Sequence, residues 1–164
     1  MSEKCVIDPI GVIETPFREL AGTPIQPSRA KGARGQVRLE VRFHAGLKDL
    51  AGFERIWLIY WLHKSTGSKL LVTPFLDTHA RGVFATRAPS RPSRLGMSAV
   101  RLLAIHEGGV LDVADVDMID GTPLLDIKPY VPDFDCWKVE SLGWLARASG
   151  DVDAARSDDR FTSE

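Results

Sequence analysis

Cysteine is scarce. Cys5 and Cys136 are the only two in 164 residues. They form no C-x-x-C pair and join no histidine cluster, so free thiols are expected and no metal site is. A long hydrophobic run is also missing. The longest, IWLIYWL at residues 56–62, falls far short of the roughly 20 residues that cross a bilayer. The opening MSEKCVIDPIG carries no apolar signal-peptide core, which leads us to expect a cytoplasmic protein away from membranes. Charge of one sign is lacking as well: 21 Lys and Arg stand against 22 Asp and Glu, for a net charge of −1. The overall basic excess of many nucleic-acid binders is therefore excluded, and any anion must be met by a local patch. No G-x-G-x-x-G opens a helix after a strand, so a Rossmann-type cofactor site has no support. There is no internal repeat and no interdomain linker. The length fits one domain able to bury a core.

What is present is strand pattern with turn punctuation. CVIDPIGVIETPF reads as a strand broken by Pro9 and Gly11, with Pro9 suited to an edge or a bend. LAGTPIQPSRAKGARG has no periodicity and reads as a loop. QVRLEVRF alternates strictly, which predicts one half-buried strand with Val37, Leu39, Val41 and Phe43 on the same face. HAGLKDLAGF predicts a short helical turn closed by Gly52. ERIWLIYWLHKS predicts a central strand covered on both sides. KLLVTPFLDTHARG holds a short strand and a loop, and GVFAT is the next expected strand. MSAVRLLAIHE and VLDVADVDMID flank Gly108-Gly109, a hairpin signal, and DGTPLLDIKPYVP continues extended. CWKVESLGWLARAS is the best helix candidate. The sum predicts a mainly β protein, an antiparallel barrel or sandwich over residues 1–149 with one or two short helices. A polar tail follows at 150–164.

Three constellations carry possible chemistry. In GVFATRAPSRPSRLGMSAV, Arg87, Arg91 and Arg94 sit among Pro89 and Pro92, with Arg81 just before. Guanidinium forks suit carboxylate and phosphate, and proline lowers the cost of ordering the loop. The residues alone leave two readings open, a solvated charged loop or an anion cradle. The segment LDVADVDMIDGTPLLDIKPY clusters Asp112, Asp115, Asp117, Asp120 and Asp126. Surface and turn roles compete there with ligand binding and general-base work. TPIQPSRAKG places Gln26, Ser28, Arg29 and Lys31 on a proline-punctuated loop. His63 closes the apolar run. A lone histidine there is more often structural than catalytic.

Taken in order, IGVIETPF, TPIQPSRAKG, LAGFERIWLIYWLH, GVFATRAPSRPSRLGMSAV and DVDMIDGTPLLDIKPYVP resemble the TsaA-like family, also called TrmO. The likeness spans residues 10–132. Its most specific element is FATR…RP…GMS combined with DGTPLLDIKPY. The resemblance implies a β-barrel unlike the Rossmann methyltransferases, a homodimer, and S-adenosylmethionine bound near the subunit interface. It implies cofactor contacts at Pro27, Ser28 and Arg29, at His63 and Lys64, at Arg87 and Met97, and at Asp115, Val116 and Asp117. Asp120, beside Gly121-Thr122-Pro123, is the candidate base. Arg91 and Arg94 are then expected at the phosphates of a nucleic-acid substrate. The implied reaction is methylation of N6 of a threonylcarbamoyl-modified adenosine next to the anticodon of a tRNA. A non-catalytic cofactor-binding module and a methyltransferase with a small-molecule acceptor are the alternatives. Two departures stand out. The family pattern R-P-N-P-[IL]-G is here Arg91-Pro92-Ser93-Arg94-Leu95-Gly96, and the longer tRNA-modifying members carry a further C-terminal domain.

Overall fold

The computed structural model describes residues 5–147, apart from positions 20, 21, 25, 31 and 76. The tail expected at 150–164 lies outside the described residues. Among the described residues no helix is long and apolar enough to cross a membrane.

Six strands close into a barrel: β1 (Gly11–Glu14), β2 (Arg34–Leu39), β3 (Arg55–Trp61), β6 (Leu95–His106), β7 (Val110–Ala114) and β8 (Thr122–Pro129). Their order around the wall is β1-β2-β7-β6-β3-β8, with every neighbour antiparallel. Closure leaves no long unpaired edge. A two-stranded ribbon, β4 (Leu71–Val72) with β5 (Arg81–Gly82), stands outside it.

The period-2 alternation of the wall strands decides what faces inward. Ile13, Val37, Ile56, Leu58, Val100, Leu111, Val113 and Leu124 are fully buried and form the core. The run on β3 is therefore covered on one face only. Ile56, Leu58 and Tyr60 point into the core, while Trp57 and Ile59 are half-buried on the outside and Trp61 is exposed. A barrel wall has one dry side, which corrects the expectation of a strand buried on both.

Other boundaries also shift. The alternation of QVRLEVRF predicts a strand through Phe43, yet β2 stops at Leu39 and a 3-10 turn spans Val41–Leu47, leaving Val41 exposed. GVFAT pairs only through Arg81–Gly82 and then winds into a 3-10 turn at Val83–Ala85. Val83 packs with Val72 and Ala88 in a satellite cluster, so its burial owes nothing to the barrel. The helix expected in CWKVESLGWLARAS is replaced by a short α2 (Pro132–Asp135) before it and a 3-10 turn at Gly143–Arg147. Trp137, Val139 and Leu142 are exposed, and a short helix without an apolar face to bury is not self-supporting. The first loop gains one turn of helix, α1 (Pro27–Ala30).

The antiparallel register sorts the connections onto two rims. At one rim, β6 and β7 are joined by the tight turn at Gly108-Gly109, whose φ values of 78° and 71° suit the left-handed backbone of such a hairpin. The link from β2 to β3 crosses the same rim. The opposite rim receives the three segments that join β1 to β2, β3 to β6 and β7 to β8. Every candidate site residue except Met97 lies on one of these three segments.

Candidate functional site

The open rim is assembled by contacts between its three segments. Arg87, on the β3–β6 segment, donates from Nη1 to Gln26 Oε1 on the β1–β2 segment. Gly32 N–H donates to Asp115 Oδ1 at 2.9 Å, and Val116 N–H donates to the Ala33 carbonyl at 3.2 Å. These bonds join the β7–β8 segment to the first loop. An open cleft of 460 Å³ lies between them, lined by Pro27, Ser28, Gly32, Arg55, Arg101 and Asp115. Pro27, Ser28 and Asp115, far apart in sequence, thus share one cleft. Arg29 lies in α1, and Lys64 is exposed beside His63. Val116 is fully buried and its N–H is taken by the Ala33 carbonyl, so it packs beneath the rim rather than opening onto the cleft.

Asp115 is tied on all sides. Arg55 and Arg101 face each other directly across the β3–β6 ladder, a pairing of like charges that is unfavourable by itself. Asp115 bridges them, accepting from Arg55 Nη2 at 2.9 Å and Arg101 Nε at 3.0 Å. Its left-handed φ of 68° turns the carboxylate to that outer face. Burial acts to raise its pKa, but the hydrogen bonds from Arg101, Gly32 and Arg55 outweigh it, and the carboxyl sits below its ordinary value.

Asp117 faces the other way, over the barrel interior. Ser98 Oγ donates to its Oδ1 at 2.6 Å, and Tyr60 Oη stands 3.0 Å from the same Ser98 Oγ. With Ser98 donating forward, Tyr60 is the donor behind it. Among the described residues no cation reaches ion-pair distance of Asp117. Burial pushes its carboxyl up to about 7, against the partial relief of the Ser98 bond, its own backbone N–H and the charge of Arg87. Burial, together with the charge of Asp117, raises the Tyr60 hydroxyl above its ordinary value, so Tyr60 keeps its proton. Gly96, directly opposite Tyr60 in the ladder, makes this possible: any Cβ there would run into the tyrosine ring.

Asp120 has a different task. It accepts from the Thr15 N–H at 2.9 Å and pairs with Arg18, fastening the β7–β8 segment to the end of β1. Arg91 spends three donors on its own loop, reaching the carbonyls of Ala88 at 3.0 Å, Val83 at 3.0 Å and Thr86 at 2.7 Å. Arg94 donates to the Ser65 carbonyl at 3.0 Å and lies over the Trp61 ring. The three arginines thus separate: two brace the loop, and Arg87 projects toward the first segment. Burial, then the charge of Lys64, lowers the His63 pKa below its ordinary value. Met97 lies on the outer face of β6, opposite Ile59 and away from the Asp117 cluster.

Sequence reasoning missed Ser98, Tyr60, the Arg55–Arg101 pair and Trp144. Ser98 carries a signal: it is a hydroxyl at an inward position of an alternating strand, which demands a polar partner. Trp144 carries none. Its Nε1 donates to the Ala85 carbonyl at 2.8 Å and Arg81 lies over its ring, so the chain beyond the barrel returns to the open rim.

The fold of this barrel is shared with solved structures. Crystallised TrmO from Pseudomonas aeruginosa superposes with a TM-score of 0.73 at 36% identity, covering 88% of this chain and 63% of that one. The family model described as the tRNA-methyltransferase O N-terminal domain matches residues 12–136. The chain belongs to that family. A relative from Pyrococcus abyssi, described as a probable S-adenosyl-L-methionine-binding protein, is 48% identical and covers 94% of this chain and 84% of its own. The human tRNA (adenine(37)-N6)-methyltransferase is 35% identical over 78% of this chain, which spans only 30% of the human protein.

Proposed function

We propose that the open rim binds S-adenosylmethionine and that the protein methylates N6 of an adenosine beside the anticodon of a tRNA, in the cytoplasm. The carrying observation is the convergence of Gln26, Arg87 and Asp117 from three separate segments onto one rim, in a chain of the TrmO family.

The chemistry of the donor set fits the cofactor. Arg87 offers a guanidinium fork for a carboxylate, with only one donor spent on Gln26. Ser28 presents a hydroxyl at the cleft of 460 Å³, and Val116 beneath it holds the two segments together through its N–H to Ala33. Asp117 Oδ2 has no side-chain partner among the described residues and is left to the acceptor rather than to the cofactor. Asp115 holds the rim in shape rather than the ligand, since two arginines already occupy it. When bound, S-adenosylmethionine supplies an electrophilic methyl group. The protein's share is then to hold donor and acceptor together, which accounts for large rate gains without covalent catalysis. Arg91 and Arg94 serve by bracing the loop that carries Arg87, and phosphate contact is left to their spare donors and to Lys64.

A second copy of the chain fits the outer face of β3 and β6, where Trp57, Ile59, Trp61, Leu95 and Met97 form an apolar band. A homodimer through it would bring Met97 to the interface near the rim. The threonylcarbamoyl-modified adenosine is the preferred acceptor in this reading.

A second reading rests on the Pyrococcus relative, which is described by cofactor binding alone. In it the protein binds the cofactor without turnover. The two separate on one assay. Purified protein is incubated with methyl-labelled S-adenosylmethionine and tRNA from cells lacking the gene, with calorimetry in parallel. Label in a tRNA nucleoside next to the anticodon supports the enzyme. Cofactor binding with unlabelled tRNA supports the binding module.

A further inference from the structure

We infer that Asp117 is the group that takes the proton from the acceptor nitrogen. This role rests on the proposed methyl transfer and names the residue that completes it. The argument begins with the three aspartates of the rim. Asp115 is neutralised by Arg55 and Arg101, and Asp120 is engaged by Arg18 and the Thr15 N–H. Neither has a free claim on a proton. Asp117 is the remaining one, half-buried at the mouth of the barrel and held through one oxygen only by a side chain.

The bonds behind it form a directed relay. Tyr60 donates to Ser98, and Ser98 donates to Asp117 Oδ1. Both hydroxyls lie on the inward faces of β3 and β6, where packing fixes their rotamers. The carboxylate is thereby oriented with Oδ2 turned from the relay. A buried hydrogen-bonded chain of this kind polarises along its length and stabilises the negative end. The charged and titratable groups acting on Asp117 are Arg87 from the β3–β6 segment and Tyr60 from β3. Arg87 favours the anion while Tyr60 stays protonated, so the relay does not drain the proton away. A carboxyl raised by burial to about 7 is matched to accepting a proton at neutral pH.

The balance of the step is simple. The acceptor nitrogen uses its lone pair to form the new N–C bond. The departing sulfur keeps the electron pair of the bond that breaks. The proton on nitrogen passes to Asp117, whose carboxylate becomes a neutral acid, and release to solvent resets it.

The test uses the full chain, tRNA from cells lacking the gene, and the variants Asp117→Asn and Ser98→Ala. Single-turnover methyl transfer by the wild type is expected to rise with pH, to inflect near 7, and then to level. Asp117→Asn is expected to lose about 100-fold or more in rate and to lose the inflection. Its affinity for S-adenosylmethionine, read by calorimetry, is expected to stay within about threefold, a limit worth roughly 0.7 kcal/mol. Ser98→Ala removes a bond that favours the anion, so its inflection is expected to move to higher pH. A separate readout needs no turnover: the side-chain carboxyl carbon of Asp117, followed by NMR in the free protein, should titrate near neutrality. Titration in the ordinary carboxylate range overturns the role. So does an Asn variant whose rate and cofactor affinity fall together, or one that works at the wild-type rate while the wild type labels tRNA. A wild type that binds the cofactor and leaves tRNA unlabelled contradicts the proposed function and takes this role with it.

Discussion

Two patches of the open rim, centred on residues two positions apart, are built in opposite ways. On the outer face, Asp115 lies between Arg55 and Arg101 and accepts from the Gly32 N–H. At the barrel mouth, Asp117 meets one serine hydroxyl and no paired cation among the described residues. The same residue type is held below its ordinary pKa at one place and above it at the other. The left-handed turn at Asp115 is what separates them, sending successive carboxylates to opposite sides of the wall. A charge that is fully compensated supports structure. A charge left short of partners keeps chemistry available, and the fold carries its cost.

Breaking the outer patch should have the largest effect. Asp115→Ala leaves two guanidiniums facing each other across β3 and β6. The expected loss is about 2–3 kcal/mol of unfolding free energy in urea melts, the upper part of the range for hydrogen bonds to charged groups, because the carboxylate is buried while both arginines stay partly exposed. A loss under about 1 kcal/mol would show that the arginines find other partners and that the patch is not structural.

The inner patch should respond with the opposite sign. The Asp117 pKa is raised on folding, so its ionisation penalises the native state. Stability is fully present below the ordinary carboxylate range and falls as pH rises toward about 7, then levels. Asp117→Asn should remove that decline and melt higher than the wild type at pH 8, by up to a few kcal/mol at about 1.4 kcal/mol per pKa unit. At pH 4 the two should nearly coincide. Equal melting at both pH values would mean that Asp117 is solvated. Asp115 has the reverse dependence: its contribution is present above the ordinary range and is lost as pH falls through its lowered value.

Smaller effects test the frame around both patches. Arg91→Ala removes three hydrogen bonds to loop carbonyls. Cofactor affinity is expected to fall about tenfold through Arg87, with the barrel's melting changed by less than about 1 kcal/mol, since the loop lies outside the barrel. A global loss instead would place Arg91 in the core's energetics. Trp144→Phe removes the bond to Ala85, worth about 1 kcal/mol locally. Faster proteolysis near residues 81–87 is the expected readout, and unchanged proteolysis would show that the returning segment does not hold the rim.

Much of this architecture is legible in the sequence. A mainly antiparallel β fold follows from short alternating strands with turn residues between them, its closure into a barrel being implied only by the family resemblance, and the Gly108-Gly109 hairpin announces itself. The three rim segments are also legible as loops rich in proline, glycine and charge. What is hidden is which charges cancel. Asp115, Asp117 and Asp120 look alike in LDVADVDMID, and only the ladder register that sets Arg55 against Arg101 reveals where the first of them goes. The division among Arg87, Arg91 and Arg94 is hidden for the same reason, because carbonyl acceptors carry no sequence signal. The exposed stretch 136–147 shows the limit of periodicity: an apolar stripe makes a helix only where a surface exists to bury it.

The central claim is that the rim carrying Arg87 and Asp117, and not the rim of the Gly108-Gly109 hairpin, receives S-adenosylmethionine. Titration of ¹⁵N-labelled protein with the cofactor, read residue by residue by NMR, tests it most directly. Saturable shifts at Ser28, Arg87, Ser98, Val116 and Asp117, with Gly108 and Gly109 unmoved, are the result predicted. Shifts concentrated at the hairpin rim, or no saturable shift at the open rim, would contradict the account.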